Sequence, residues 1–160
     1  MKIKDVKAYV LKYFMEEAIM DATFVLPYRG TVLVEVLTDE GITGLGEAAY
    51  FGGPPEITKH VIENELKQQL LGENPICHEK LWHKMYQGAI KHGRRGIVIA
   101  AISGIDIALW DIKGKATGLP VYQLLGGFTE KVPAYASGGF YQKDKTIEDL
   151  MKEMESYVSK

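Results

Sequence analysis

The amino-acid sequence predicts an α+β fold, in which a three-stranded antiparallel meander is followed by a helical bundle. Two runs rich in β-branched and apolar residues, Thr31–Thr38 and Ile42–Ala48, flank a turn at residues 39–41, and this arrangement is typical of a hairpin. An alternating run over Ile3–Val10 supplies a third strand. Beyond Pro55 the apolar residues recur at helical spacing. Strands followed by helices favour a sheet with helices packed on one side.

The composition is that of an ordinary globular domain, with 160 residues, 46% of them hydrophobic, and a formal net charge of −2. This charge gives no basic surface of the kind that binds nucleic acid. No apolar run approaches the ~20 residues of a membrane span, and the charged, alternating start is unlike a signal peptide. Cys77 is the one cysteine, so an internal disulfide is excluded and a cytoplasmic location is expected.

The longest predicted helix begins at Val98 and stops at Gly118, because glycine followed by Pro120 suits a helix end. The helix is apolar on most sides and is therefore expected to be buried on most sides. Its main stripe consists of Val98, Ile102, Ile105, Leu109 and Ile112. Asp106 lies on this stripe and is interpreted as a half-buried structural carboxylate. Asp111 and Lys115 have the spacing of a helical ion pair.

Further elements are predicted on both sides of this helix. Earlier helices start at Pro55, ending at Gly72, and at Pro75. A short strand is predicted over Val132–Ala136, and Thr146 caps a last helix. The apolar positions of that last helix are Ile147, Leu150, Met151, Met154 and Val158. Because a lone parallel strand has no sheet to join, this end is expected to be the start of an unfinished β/α domain.

Two stretches fit no regular period and are predicted to be functional loops. They are Phe14–Tyr28 and Tyr50–Gly53, and both carry aromatic residues. The first stretch fits no period for about a dozen residues, and loops of that length are uncommon unless they are functional or mobile. Irregular, aromatic-tipped loops on a rigid scaffold suit a lid that closes on a ligand and excludes water.

Several motifs that resemble binding or catalytic sites are better explained by packing or by surface charge. Residues 44–49 match a Gly-x-Gly-x-x-Ala pattern, but no helix begins inside it, so close packing or a bulge is favoured over nucleotide binding. The triplets Lys113-Gly-Lys115 and Lys143-Asp-Lys145 are interpreted as solvated surface charge. The histidines and the cysteine have no spacing that predicts a metal site or a nucleophile. These residues are His60, His78, His83, His92 and Cys77.

The segments Ala101–Lys115 (AISGIDIALWDIKGK) and Gly118–Gly127 (GLPVYQLLGG) closely resemble the mandelate racemase/muconate lactonizing enzyme family of the enolase superfamily. The resemblance implies that residues 1–127 form an enolase-like capping domain. It also implies that residues 128–160 form the first strand and helix of a truncated C-terminal β/α barrel. In the family, the metal ligands and the Lys-x-Lys base come from later barrel strands.

The resemblance implies an enzyme that abstracts a proton α to a carboxylate with the help of Mg²⁺. The expected reaction is dehydration of an acid sugar. One alternative is a racemase, epimerase or cycloisomerase of the same family. The other is a stand-alone binding or oligomerisation module. These 160 residues are expected to supply the substrate-capping lid, to hold no catalytic group or metal ion and to be inactive alone. The expected partners are a sugar-acid substrate, the missing barrel and other copies of the chain. The expected substrate-binding residues are Phe24, Tyr28, Tyr50, Phe51, Ser137 and Gly138.

Overall fold

The computed structural model describes residues 1–23, 25–49, 54–93 and 95–159. Its strands are β1 (Ile3–Met20), β2 (Val25–Thr38) and β3 (Thr43–Ala48), in the order β1-β2-β3. Its helices are α1 (Pro55–Val61), a π-helical turn (Ile62–Leu66), α2 (Lys67–Leu70), α3 (His78–Gly88), a 3₁₀ turn (Ile90–His92), α4 (Ile97–Thr117), α5 (Val121–Leu124) and α6 (Ile147–Val158). The predicted α+β class, an antiparallel sheet followed by helices, is confirmed.

The contacts divide the chain into two compact units. The first, here called the sheet–helix unit, comprises residues 1–11 and 30–128. The second, the hairpin unit, comprises residues 12–29 and 129–160. Strands β1 and β2 therefore contribute residues to both units. In the part of the chain that the structure describes, no helix has the length and apolarity needed to cross a bilayer.

The core of the sheet–helix unit lies between one face of the sheet and the long helix α4. The α4 stripe residues Ile102, Ile105, Leu109 and Ile112 are at most 1% exposed, as the sequence predicts. They share the core with the inward side chains of the strands and of the helical segment 55–70. Gly118 ends α4 in the left-handed conformation with φ 69°, which glycine adopts without steric penalty.

Strand β3 approaches α4 so closely that two of its positions have no room for a side chain. A Cβ on Gly46 would lie 2.0 Å from the Gly104 carbonyl oxygen, and one on Gly44 would lie 2.0 Å from that of Ala108. The Gly-x-Gly pattern therefore serves close packing of a strand on a helix, as the sequence interpretation favours.

Each edge strand of the sheet forms hydrogen bonds with an i,i+4 ion pair of the helical segments: a strand N–H donates to the carboxylate, and a strand carbonyl accepts from the lysine. At β1, Glu63 Oε1 accepts from the Ala8 N–H at 3.0 Å, and Lys59 Nζ donates to the Ala8 carbonyl. At β3, Asp111 Oδ2 accepts from the Leu45 N–H at 2.8 Å, and Lys115 Nζ donates to the Thr43 carbonyl at 2.8 Å. The predicted Asp111–Lys115 pair is confirmed, with 2.6 Å between Oδ2 and Nζ.

The prediction that Phe14–Tyr28 is an irregular loop is wrong, because residues 14–20 and 25–28 continue β1 and β2 as a hairpin. The hairpin turns where Asp21 Oδ1 accepts from the Thr23 N–H at 2.6 Å. None of the described residues from 12 to 29 is buried, so neither face imposes the apolar alternation by which strands are recognised. The second predicted loop, Tyr50–Gly53, lies outside the described residues.

The predicted strand over Val132–Ala136 is not formed, and those residues are exposed and irregular. A strand requires a neighbour to complete its hydrogen-bond ladder, and none of the described residues pairs with this segment. The last helix does form as predicted. Thr146 makes a reciprocal capping box with Asp149 at its start, which satisfies backbone donors of the first turn.

Candidate functional site

One face of the hairpin places two aromatic rings and a lysine together. Lys12 and Phe14 are two residues apart on β1 and so point to the same side of the strand. The ring of Phe14 lies 5.5 Å from that of Tyr28, tilted by 54°, and the Lys12 ammonium lies 5.0 Å from the Tyr28 ring centroid. Phe14 is 68% exposed, and Tyr28 is half-buried. Such a surface offers apolar ring faces and a positive charge to a ligand.

The hairpin is joined to the segment before α6 by a two-residue antiparallel bridge. The Met20 N–H donates to the Tyr141 carbonyl at 3.1 Å, and the Tyr141 N–H donates to the Met20 carbonyl at 2.9 Å. Residue 20 lies next to the hairpin turn, so the bridge holds the far end of the hairpin.

The segment that carries Tyr141 is in turn held to α6 by one carboxylate. Glu153 Oε1 accepts hydrogen bonds from the Gly139 N–H at 3.1 Å and from the Tyr157 hydroxyl at 2.7 Å, while Oε2 pairs with the Lys145 ammonium. Lys145 also donates to the Phe140 carbonyl at 3.0 Å. The adjacent Lys145 ammonium, the Gly139 N–H and the Tyr157 hydroxyl lower the pKa of Glu153 to about 2.

The interpretation of Lys143-Asp-Lys145 as solvated surface charge is therefore wrong for Lys145. Its side chain is 13% exposed and is enclosed by the partners just described. The spacing of eight residues to Glu153 crosses a turn and a helix start, which sequence periodicity does not connect.

Shallow cavities lie beside the bridge within the hairpin unit. One of about 220 Å³ is lined by Phe140, Tyr141, Gln142, Lys145, Ile147 and Leu150, among others. Another of about 330 Å³ lies along the first arm of the hairpin and is lined by Tyr13, Met15, Glu16, Glu17, Ile19 and Gln142. Gln142, the residue after the bridge, lines both cavities.

The predicted substrate-binding residues fall in different surroundings. Tyr28 lies on the hairpin face, and Ser137 is exposed in the irregular segment before the bridge. Gly138 faces α6, because a Cβ there would lie 2.4 Å from the Tyr157 hydroxyl and 2.7 Å from Glu153 Oε1. The other three, Phe24, Tyr50 and Phe51, lie outside the described residues.

Sequence reasoning missed the residues that bring the site together. They are Lys12, Phe14, Met20, Tyr141, Lys145 and Glu153. The spacing of Lys12 and Phe14 would have placed them on one face once the segment was recognised as a strand. The Met20–Tyr141 bridge uses backbone atoms alone and leaves no signal in the side chains.

The donor set of the described residues does not fit a magnesium site. Mg²⁺ prefers several oxygen ligands around one point, and no group of three or more His, Cys, Asp or Glu side chains among the described residues is arranged to hold a metal ion. Asp106 on α4 is half-buried, as predicted, and burial raises its pKa. The His78 ring packs against Trp110, with 4.1 Å between centroids.

The profile of the mandelate racemase/muconate lactonizing enzyme N-terminal domain matches residues 18–126. The chain belongs to this family. The resemblance inferred from residues 101–127 is thereby confirmed, and the family domain includes most of the hairpin as well as the sheet–helix core.

Relatives of known activity include acid-sugar dehydratases and cycloisomerases. The chain is 42% identical over 163 residues to an arabinonate dehydratase of Saccharolobus solfataricus, covering 98% of this chain and 43% of the relative. It is 39% identical over 141 residues to a D-galactarolactone cycloisomerase of Agrobacterium fabrum, covering 88% and 36%. The chain thus spans about two-fifths of the length of the curated relatives it matches.

A solved structure shares the fold over nearly the whole chain. The crystal structure of a racemase from Streptomyces coelicolor A3(2) with bound magnesium superimposes with a TM-score of 0.90 and 27% identity, covering 98% of this chain and 44% of the racemase.

Proposed function

We propose that this chain is the substrate-capping part of an acid-sugar dehydratase, with residues 1–127 as the capping domain and residues 128–160 as the first β/α unit of the barrel. The observation that carries the proposal is the exposed Lys12–Phe14–Tyr28 face of the hairpin. A rigid strand pair that presents aromatic rings and a cation suits the covering of a small anionic, hydroxylated ligand. The 42% identity to an arabinonate dehydratase supports the reaction class.

In this proposal the hairpin face closes over the sugar acid and excludes water from it. The rings of Phe14 and Tyr28 contact the apolar C–H faces of the sugar, and the Lys12 ammonium favours a bound carboxylate. Ser137, Gly138, Phe24, Tyr50 and Phe51 are further substrate contacts in this proposal. A closed lid keeps the reacting carbon dry while a base removes its proton.

The chemistry is assigned to groups outside residues 1–160. Bound Mg²⁺ would stabilise the negative charge that develops on the substrate carboxylate when the α proton is removed. Since the described residues supply no metal-binding cluster, we expect the 160-residue chain alone to give no turnover. We assign the protein to the cytoplasm, in keeping with its exposed, unpaired Cys77.

A racemase, epimerase or cycloisomerase is the second candidate, supported by the 39% identity to a D-galactarolactone cycloisomerase. A stand-alone binding or oligomerisation module is a third. It is supported by the exposed apolar face of α6, where Ile147 is 75% and Met151 is 58% exposed. The same face supports self-association of the chain.

The experiment is a comparison of two proteins on a panel of sugar acids with Mg²⁺. One is the 160-residue chain; the other joins these residues to the remaining part of the Saccharolobus solfataricus arabinonate dehydratase. Dehydration by the chimera alone, detected as the 2-keto-3-deoxy acid, is the expected result. Turnover by the 160-residue chain would refute the assignment of the chemistry to other residues. A second chimera, with the remaining part of the Agrobacterium fabrum D-galactarolactone cycloisomerase, tests the second candidate: activity in this chimera and none in the dehydratase chimera would favour it.

A further inference from the structure

We propose that Lys145 and Glu153 are positioning residues that hold the hairpin in place through the Tyr141–Met20 bridge. The inference rests on the proposed function of the hairpin as a lid. The Lys145–Glu153 pair links α6 to the segment that binds the hairpin, and neither residue is proposed to touch substrate.

The first step is that Glu153 fixes both ends of a short segment. Its carboxylate binds the Gly139 N–H at one end and the Lys145 ammonium at the other. The Lys145 ammonium also donates a hydrogen bond to the Phe140 carbonyl at 3.0 Å, so residues 139–145 form a closed loop beside α6. Glu153 lies in the second turn of a helix that is capped at Thr146, so its carboxylate is carried by regular backbone.

The second step is that the backbone of this loop is costly to hold without those bonds. Asp144 has φ 61° and Gly139 has φ 78°. Asp144 carries a Cβ, so the left-handed conformation is less favourable for it than for glycine. Such a conformation persists only where surrounding contacts impose it, and the described contacts that impose it are the bonds to Glu153 and the turn from the Lys145 N–H to the Gln142 carbonyl.

The third step is that Tyr141 lies inside this loop and is the point where the hairpin is held. The bridge consists of two backbone hydrogen bonds near the tip of the hairpin. Hydrogen bonds in exposed positions open easily by local unfolding. Loss of the Lys145–Glu153 pair therefore releases Tyr141, and the hairpin face with Tyr28 loses its fixed position.

The test measures amide hydrogen exchange by NMR in the 160-residue chain. Glu153→Gln and Lys145→Met should raise the exchange rates of the Met20 and Tyr141 amides about tenfold or more. Lys145→Arg, which keeps the charge, and Glu155→Gln, an exposed carboxylate on the same helix, should leave both rates unchanged. Unchanged rates in the first two variants would overturn the proposal.

Unfolding is distinguished by the Ile105 amide in the middle of α4, whose protection should stay the same in every variant. If Glu153→Gln and Lys145→Met lose that protection as well, Tyr157→Phe provides the milder test. It removes one hydrogen bond to Glu153 and should raise exchange at Tyr141 about threefold without affecting Ile105. No change at Tyr141 in Tyr157→Phe would then overturn the proposal.

A kinetic measurement separates positioning from simple destabilisation. In the dehydratase chimera, Glu153→Gln should raise KM about tenfold with a smaller change in kcat, because the lid binds substrate and the chemistry lies elsewhere. Lys145→Arg should restore the KM that Lys145→Met raises. An inactive chimera whose Met20 and Tyr141 amides still respond would refute the dehydratase function alone. An active chimera whose amides do not respond would refute the positioning role alone.

Discussion

The carboxylate of Asp111, near the end of α4, accepts a hydrogen bond from the backbone N–H of Leu45 in the edge strand β3, with 2.8 Å between the atoms. Asp111 is thus part of an ion pair on the helix and also a partner for the sheet. The spacing of four residues between Asp111 and Lys115 predicts the ion pair. The hydrogen bond to Leu45 depends on the close approach of β3 to α4.

Replacing Asp111 tests how much this contact stabilises the sheet–helix unit. Asp111→Ala should lower the free energy of unfolding by about 1 kcal/mol, because a charged acceptor and one backbone hydrogen bond are lost. Urea unfolding measures the change. In a double-mutant cycle with Lys115→Met, the double variant should lose less stability than the sum of the losses in the two single variants, because both residues bind the same strand edge. Strict additivity would mean that they act separately.

Gly46 provides a second prediction, on the packing of β3 against α4. Gly46→Ala should destabilise the protein by about 3 kcal/mol, because the new Cβ meets the Gly104 carbonyl backbone and the helix must move. Gly41→Ala is the matched control. It has φ 83° but nothing within 4 Å, so only backbone strain of about 1–2 kcal/mol is expected. Equal losses in the two variants would argue against the close approach.

Glu73 gives a prediction for acid solution. The ammonium groups of Lys80 and Lys84, 2.8 and 2.7 Å from its carboxylate oxygens, lower the pKa of Glu73 from 4.5 to about 2. A carboxylate with a lowered pKa stabilises the folded state fully above its ordinary pKa, and the stabilisation is lost as the pH falls towards 2.

Thermal unfolding should therefore show a lower Tm for Glu73→Gln than for the unmodified protein at about pH 7, and a shrinking difference between about pH 4.5 and pH 2. Glu130→Gln, at an exposed position outside the helices and strands, is the control and should change little at any pH. A difference that grows on acidification would contradict the assigned ion pairs.

Tyr28 tests the role of the hairpin face in substrate binding. In the dehydratase chimera, Tyr28→Ala should raise KM about tenfold, equivalent to about 1.4 kcal/mol of binding, and change kcat less. Tyr13→Ala is the control, because Tyr13 alternates with Lys12 and Phe14 along β1 and faces the other side of the strand. If Tyr13→Ala and Tyr28→Ala raise KM equally, the face that carries Tyr28 has no special role.

The sequence was informative where burial imposes a pattern. The α4 stripe from Ile102 to Ile112 is a long apolar face that ends in Gly118, so both its burial and its end were predictable. The hairpin was not predictable, because none of its described residues is buried and because strand pairing depends on backbone bonds rather than on side chains. The Val132–Ala136 prediction failed because local β preference alone does not supply a neighbouring strand.

The candidate site was predictable only in its residue types. Aromatic content pointed to Tyr28, but the ring contact with Phe14 depends on the register of two strands that sequence reasoning did not recognise. The pairing of Lys145 with Glu153 depends on a turn with a left-handed Asp144, for which the sequence gives no periodic signal. Charged pairs within one helix, such as Asp111 and Lys115, follow from spacing, whereas pairs across a turn require the fold.

Two ion pairs cover backbone groups on the edge strands of the sheet, and this cover bears on aggregation at high protein concentration. One pair binds β1 at Ala8, and the other binds β3 at Thr43 and Leu45. Open sheet borders are the usual templates on which protein chains stack into fibres. Here an incoming peptide would have to displace an ion pair before it could pair with β1 at Ala8 or with β3 at Thr43 and Leu45. Fibre seeding at these positions of the sheet is therefore opposed by side chains that belong to the helices.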